Sequence, residues 1–153
     1  MADYLTNVGT GIKTLFDTTN DFSTAMSGGL WLVESKPKNT FPYCVYSFLG
    51  DKPMYTFGET TPQEGEDILV QFTIFDKTAS AININKYEGY LRALFDWASI
   101  SVTAYTLMEM RRDNTIPAFK VDDVWQITVT YRIKIDKTSE VYKWQISQEK
   151  LVA

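Results

Sequence analysis

The sequence predicts an α+β fold, in which two helices back an antiparallel β-sheet of about four main strands in a two-layer arrangement. Two segments, near residues 66–76 and 124–136, alternate with the period of two that is typical of strands. Between them, residues 79–98 repeat apolar side chains at helical spacing. The length of 153 residues suits one domain. We expect that domain at residues 1–136, followed by a C-terminal extension or arm at residues 137–153.

The N-terminal region predicts short helices. Apolar side chains recur at helical spacing over residues 4–18, although Gly9 and Gly11 weaken the first turn. A second short turn, "NDFSTAM", has Asn20 or Asp21 as its N-cap, and the following "SGG" ends it.

The next segments predict strands joined by a long connection. "LWLV" at 30–33 predicts a short strand, and "FPYCVYSFLG" at 41–50 a longer one. Residues 50–66 form a long connection with several Gly and Pro residues, in which "MYTF" at 54–57 could be a short strand that makes the segment a hairpin-like arm. A structureless loop of this length is unusual in a compact domain unless it has a function. Tyr55 and Phe57 on this arm are candidate interface anchors, with packing inside the same chain as the alternative.

The strand "EDILVQFTIFD" at 66–76 is apolar on both of its faces. Its first face, Ile68 to Ile74 at alternate positions, suits the core. Leu69 and Phe75 lie on the other face. Either a terminal helix or the tail covers them within the subunit, or they contact another subunit.

The C-terminal third predicts two more strands and an extension. "ISVTAYTLMEMRRD" is followed by a turn, "NTIPAFKVDD", and then by "VWQITVTYRIKID", which has one apolar face and one polar face. Asp122 and Asp123 fit turn chemistry. In the extension, Tyr142, Trp144 and Ile146 alternate with polar residues, as in a further strand or an extended arm.

Composition points away from an enzyme. The chain has no histidine, which removes the usual nucleophilic triads and the commonest catalytic zinc ligand. The net charge of −4 disfavours a broad nucleic-acid surface. Cys44, the single cysteine, lies in an apolar run typical of a buried, inert thiol. We therefore expect no cofactor and no metal.

Several charged groups have two interpretations each. Arg111 and Arg112 in "MRRD" could bind DNA phosphates in a lumen, or they could end a strand and face nearby acids. Acidic residues at 59, 64, 66 and 67 could hold a metal, or they could be solvated loop charges, since they lack regular ligand spacing. No apolar run approaches the roughly 20 residues that span a bilayer, and no secretory signal opens the sequence, so we expect the chain to be made and used in a cytoplasm, without membrane attachment.

The order of the hydrophobic blocks resembles the tail terminator, or tail-completion, family of tailed bacteriophages. The matching segments are "FPYCVYSFLGDKPMYTF", "EDILVQFTIFD", "YLRALFDWASISVTAYTLMEMRRD" and "VWQITVTYRIKI", which together cover about residues 41–135. This resemblance implies a small antiparallel sheet backed by helices and assembled as a ring, expected to be a hexamer, without catalysis.

The resemblance also implies partners and a location. Such a ring caps the head-proximal end of the tail tube, stops addition of tube protein and offers a surface to the neck or head-completion protein. DNA passes through its lumen without specific binding, and the protein resides in the virion at the tail–neck junction. Another head–tail connector of the same fold is one alternative. A monomeric α+β module using the 50–66 arm as a ligand lid is another.

Overall fold

The computed structural model describes residues 4–33, 40–54 and 65–137. These residues form three helices and five strands, in this chain order: α1 (Tyr4–Phe16), α2 (Asp21–Ala25), β1 (Leu30–Leu32), β2 (Tyr43–Met54), β3 (Gly65–Asp76), α3 (Ala81–Phe95), β4 (Tyr105–Val121) and β5 (Val124–Lys137). The α+β class predicted from the sequence is confirmed. The proposed boundary at residue 136 stays a prediction, because residues 138–153 lie outside the described residues.

The five strands form one sheet in the order β1-β2-β3-β5-β4. All neighbouring pairs are antiparallel except β1 and β2, which are parallel. The sheet is therefore mixed rather than wholly antiparallel. Gly29, with φ of 85°, turns the chain from α2 into β1 so that β1 enters the sheet at the same end as β2. The sequence did not predict this parallel pair, because side chains alternate in the same way in parallel and in antiparallel strands.

The three helices pack on one face of the sheet and enclose an apolar core. Alternate side chains of β3, from Ile68 to Ile74, are fully buried there, and Val129 and Ile133 of β5 lie beside them. Phe95 of α3 stacks on Phe72 with 4.8 Å between ring centroids. This is the core face that the sequence predicted.

Side-chain caps fix the starts of two helices. The Asn20 side chain accepts a 2.7 Å hydrogen bond from the Ser23 N–H, which confirms one of the two predicted caps of α2. Ser80 accepts a 3.2 Å bond from the Ile82 N–H at the start of α3. Helix α3 is therefore a little shorter than the predicted range 79–98.

Two segments predicted as connections are partly strands. β2 continues to Met54 and β3 begins at Gly65, so the pair extends as a hairpin into the 50–66 region. β4 runs to Val121, through the predicted turn "NTIPAFKVDD". Pro117 is accommodated because β4 is an edge strand and its register shifts between Ile116 and Phe119.

Only Asp122 and Asp123 form the turn between β4 and β5. Both have positive φ, 50° and 63°, as expected for a two-residue hairpin turn whose twist matches the flanking strands. The prediction of turn chemistry at this pair is confirmed. The preceding residues are strand because β5 gives their backbone a pairing partner.

Candidate functional site

The sheet surface opposite the helices, called here the open face, carries the second apolar side of β3. Leu69 and Phe75 lie on it and are half-buried. No helix among residues 4–33, 40–54 and 65–137 covers this face. Thr128 and Thr130 of β5 are more buried than the predicted wet face implied, because β5 lies between β3 and β4 in the sheet. The Thr128 hydroxyl lies 3.3 Å from that of Thr73.

One end of the open face is aromatic. Tyr43 of β2 stacks on Phe75 of β3 with 5.0 Å between ring centroids, and Phe41 lies 5.3 Å from Tyr43. A shallow groove of about 390 Å³ runs beside them and is lined mainly by β2 and β3. Its lining combines apolar surface with hydroxyl and amide groups, which suits contact with another protein.

The other end of the open face is ionic. Arg132 donates to both carboxylate oxygens of Asp67 at 3.3 and 3.2 Å, and to Asp113 at 3.3 Å. Lys134 lies 3.1 Å from Glu109. Each of these basic groups therefore has an acidic partner, and the surface carries mixed charge.

Arg111 and Arg112 point to opposite faces, because they are consecutive strand residues. Arg111, on the open face, lies 3.4 Å from Glu109. Arg112 lies on the helix side, 3.7 Å from Asp96 at the end of α3. The pair lies within β4 rather than at its end. Because the two side chains point to opposite faces, their guanidinium groups do not form one phosphate-binding patch.

The two edges of the sheet, called here its sides, differ in the surface that they expose. β4 forms one edge and exposes four large apolar side chains: Met108, Ile116, Phe119 and Val121. Ile116 and Phe119 lie opposite Thr128 and Gln126 of β5, so they stand at the margin of the open face. On the opposite side, a groove of about 580 Å³, called here the side groove, lies between α1 and the β1–β2 pair. Leu5 and Phe48 contribute to its lining, and Leu32 and Val33 remain 49% and 69% exposed. Exposed apolar surface on both sides is typical of assembly contacts.

A carboxyl pair lies where the start of α1 meets the sheet. The Tyr4 hydroxyl donates to Asp51 of β2, and the carboxyl of Glu66 of β3 lies beside the same aspartate, with its Oε2 buried and without a hydrogen-bond partner among the described residues. Glu66 is only 9% exposed, and burial, followed by the interaction with Asp51, raises the pKa of its carboxyl. The carboxyl of Glu66 therefore keeps its proton to a higher pH than an ordinary glutamate does.

The interpretation of Glu66 and Asp67 as solvated loop charges is wrong. Both are buried residues of β3, where Asp67 is paired with Arg132. The alternation in the sequence already indicates that Glu66 is buried, because Glu66 lies two positions before Ile68 and therefore on the same face of the strand. Within the described residues, no group of three or more His, Cys, Asp or Glu side chains could hold a metal ion.

Replacing Glu66 with glutamine is expected to stabilise the protein at neutral pH by about 1 kcal/mol, the net value of one buried hydrogen bond. A raised pKa means that the folded protein binds this proton more tightly than the unfolded chain. The stabilising contribution is complete below the ordinary glutamate pKa and is lost as pH rises through the raised value. Glutamine stays neutral throughout, so stability measured by urea denaturation between pH 4 and about 8 falls less steeply.

Asp17→Asn provides the control, since the Asp17 side chain is 59% exposed. This variant keeps the wild-type loss of stability with rising pH. A Glu66→Gln protein that is less stable than wild type at neutral pH would show that the carboxylate is the favoured form.

The remaining interface candidates lie outside the described residues: Tyr55, Phe57, Tyr142, Trp144 and Ile146. Cys44 is fully buried, and burial raises the pKa of its thiol, as expected of an inert cysteine.

The sequence did not predict the side groove, because the groove joins residues of α1 to residues of β1 and β2 that are distant in sequence. No helix within the described ranges is long and apolar enough to cross a membrane.

Comparison with known proteins identifies solved structures of the same fold. A chain from the virion of a native gene transfer agent particle superposes with a TM-score of 0.70 at 9% sequence identity, covering 89% of this chain and 99% of that one. A second solved structure, which carries no functional name, superposes with a TM-score of 0.64 at 8% identity and covers 91% and 100% of the two chains. No protein-family model and no curated protein matches the sequence. At such low identity the likeness establishes the fold alone.

Proposed function

We propose that this chain is a structural protein of a phage-like virion, without catalytic activity. The observation that carries this proposal is the likeness to a gene transfer agent virion chain over nearly the whole length of both proteins. The order of the hydrophobic blocks in the sequence resembles that of tail terminators. It therefore supports a virion structural protein independently of the fold.

In its specific form, the proposal is a ring, expected to be a hexamer, on the head-proximal end of the tail tube. The ring stops addition of tube protein and joins the tail to the neck at the tail–neck junction. A closed ring requires two different complementary patches on each protomer. The β4 side and the side groove support this proposal, because they lie on opposite sides of the sheet and each exposes apolar surface.

The open face is compatible with a lumen through which DNA slides. A lumen lined with unpaired Lys and Arg would hold phosphates strongly. On the open face, Arg111, Arg132 and Lys134 each face a carboxylate instead. This arrangement supports passage without specific binding.

Phe119→Glu is expected to abolish ring formation, because it places a charge in the apolar surface of the β4 side. Phe119 is 43% exposed, so the folded protomer tolerates the change. Ile82→Glu is the matched control: Ile82 is 74% exposed and belongs to α3 in the helix layer rather than to the sheet. Light scattering and negative-stain microscopy with purified tail tubes measure the result. Rings lost with Ile82→Glu and kept with Phe119→Glu would mean that the helices, not the sheet sides, join the subunits.

Deletion of the gene separates the terminator from its alternative. Overlong tails are expected if the protein stops the growth of the tube. Tails of normal length beside unattached heads favour another neck or head–tail connector protein. Particles with tails of normal length and attached heads would contradict both roles. That result would favour the monomeric ligand-binding module instead.

A further inference from the structure

We propose that the side groove and the adjoining edge of β2, which no described strand covers beyond Tyr46, bind residues 138–153 of a second copy of this chain. The segment would add a strand beside β2 and insert its alternating apolar side chains toward α1. This inference goes beyond the proposed ring by naming the segment and the surface that join neighbouring copies, and it rests on that ring for the second copy.

The receiving surface is an interrupted sheet edge. β1 pairs with only three residues of β2, Cys44 to Tyr46, and the last bond on this side joins the Val33 N–H to the Tyr46 carbonyl at 2.8 Å. Beyond that bond, residues 47–54 pair with β3 on one side and with no described strand on the other. Free backbone groups beside an apolar groove are the usual setting for strand addition.

The side groove supplies a place for apolar side chains. Leu32 and Val33 are half or more exposed at its rim, and Phe48 of β2 lies within it beside Leu5 of α1. A strand lying along β2 directs alternate side chains toward this groove and the others away from it.

The C-terminal segment has the matching pattern and sufficient length. Tyr142, Trp144 and Ile146 alternate with Lys143, Gln145 and Ser147 in the sequence. One face is therefore large and apolar while the other is polar, as an added edge strand requires. Sixteen residues follow Lys137 and reach about 50 Å when extended. The alternating stretch itself begins at Tyr142, five residues after Lys137, which is about 17 Å of extended chain.

The topology favours a neighbouring copy over the same chain. β5 ends at Lys137 between β3 and β4, two strands away from the edge of β2 that no described strand covers. Residues 55–64 join the ends of β2 and β3 at that same end of the sheet. A return within one chain has to cross this connection, and such crossings are avoided in natural folds. Lys137, the last described residue, lies opposite Tyr105 of β4, and in a head-to-tail ring we expect the β4 side of one copy to face the groove of the next.

Oxidation of the full-length double variant Val33→Cys with Trp144→Cys tests the proposal. Exchange between copies is expected to give a ladder of disulfide-linked multimers on non-reducing gels. Binding within one chain gives cross-linked monomers only, which would overturn the proposal. Met108→Cys with Trp144→Cys is the control at the β4 side and is expected to give no ladder. A ladder with this control and none with the first pair would place the segment at β4, and would also overturn the proposal.

A second measurement covers the case in which the two cysteines lie too far apart to bond, since disulfides need Cα atoms within about 7 Å. Trp144→Ser is expected to weaken self-association by at least about tenfold in sedimentation, as for loss of an aromatic anchor. Lys143→Ser, on the opposite face of the same strand, is expected to leave it unchanged. Equal association of both variants, with no ladder, would reject the proposal. Rings that still form in that case would leave the proposed function standing.

Discussion

Replacing Phe72 with alanine is expected to lower the free energy of unfolding by about 3–5 kcal/mol, the range for truncating a fully buried phenylalanine. Phe72 is 0% exposed and lies between rings from three other elements. Its centroid is 4.8 Å from Phe95 of α3, 5.9 Å from Tyr46 of β2 and 5.7 Å from Tyr131 of β5. Because the three rings belong to different elements, they cannot close together over the cavity. Urea denaturation followed by circular dichroism measures the loss.

The matched control is Phe119→Ala, the same change at an edge-strand position that is 43% exposed. Its expected cost in the isolated protomer is about 1 kcal/mol or less, because solvent already contacts the ring. Domains of this size have total stabilities of about 5–15 kcal/mol, so the two variants are readily separated. Similar losses for both would contradict the placement of Phe72 at the centre of the core.

The burial of Phe72 follows directly from the sequence. Ile68, Val70, Phe72 and Ile74 alternate without interruption, and in a strand only one set of alternate residues faces the helices. The same rule places Tyr131 and its alternate neighbours in β5 on the core side. Periodicity therefore predicts the elements and their inner faces, because it is a local property of the chain.

Relations between distant elements could not be predicted in this way. Glu66 looks like a loop acid until β2 brings Asp51 beside it and α1 places Tyr4 on the pair. The parallel direction of β1 depends on a turn at Gly29, and the side groove depends on where α1 crosses the sheet. Each is a product of packing, and hydrophobic patterning carries no information about it.

The two sides of the sheet connect these observations to function. Open sheet edges with exposed apolar residues favour uncontrolled pairing, so natural proteins interrupt or cover them. β4 is interrupted by three register shifts and by Pro117. The edge of β2 that no described strand covers has a register shift at Leu49 and carries Pro53 near its end. These interruptions limit indiscriminate strand addition while leaving apolar surface for a defined partner, as a closed assembly requires.

Gly11→Ala is expected to destabilise the protein by about 1–3 kcal/mol, although alanine is the better helix former by about 1 kcal/mol. A Cβ at Gly11 of α1 would lie 2.5 Å from the Ser101 carbonyl oxygen, which is backbone and cannot rotate away. The flanking Ile100 and Val102 are each only 5% exposed, so moving this loop pulls two buried side chains out of place. The sequence alone identifies Gly11 as a weak point in the helix, whereas the packing identifies it as the place where the loop contacts α1.

Gly89→Ala in α3 separates the gain in helix propensity from the steric effect of the added methyl group. A Cβ at Gly89 meets nothing within 4 Å, so only the helix propensity remains, and stabilisation by about 0.5–1 kcal/mol is expected. Thermal and urea unfolding of the two variants should therefore move in opposite directions from wild type. If both variants are stabilised, the loop yields to the new methyl group, and α1 is held less closely against residues 100–102 than its contacts indicate. Since α1 forms one wall of the side groove, that result would also make the groove adjustable rather than preformed.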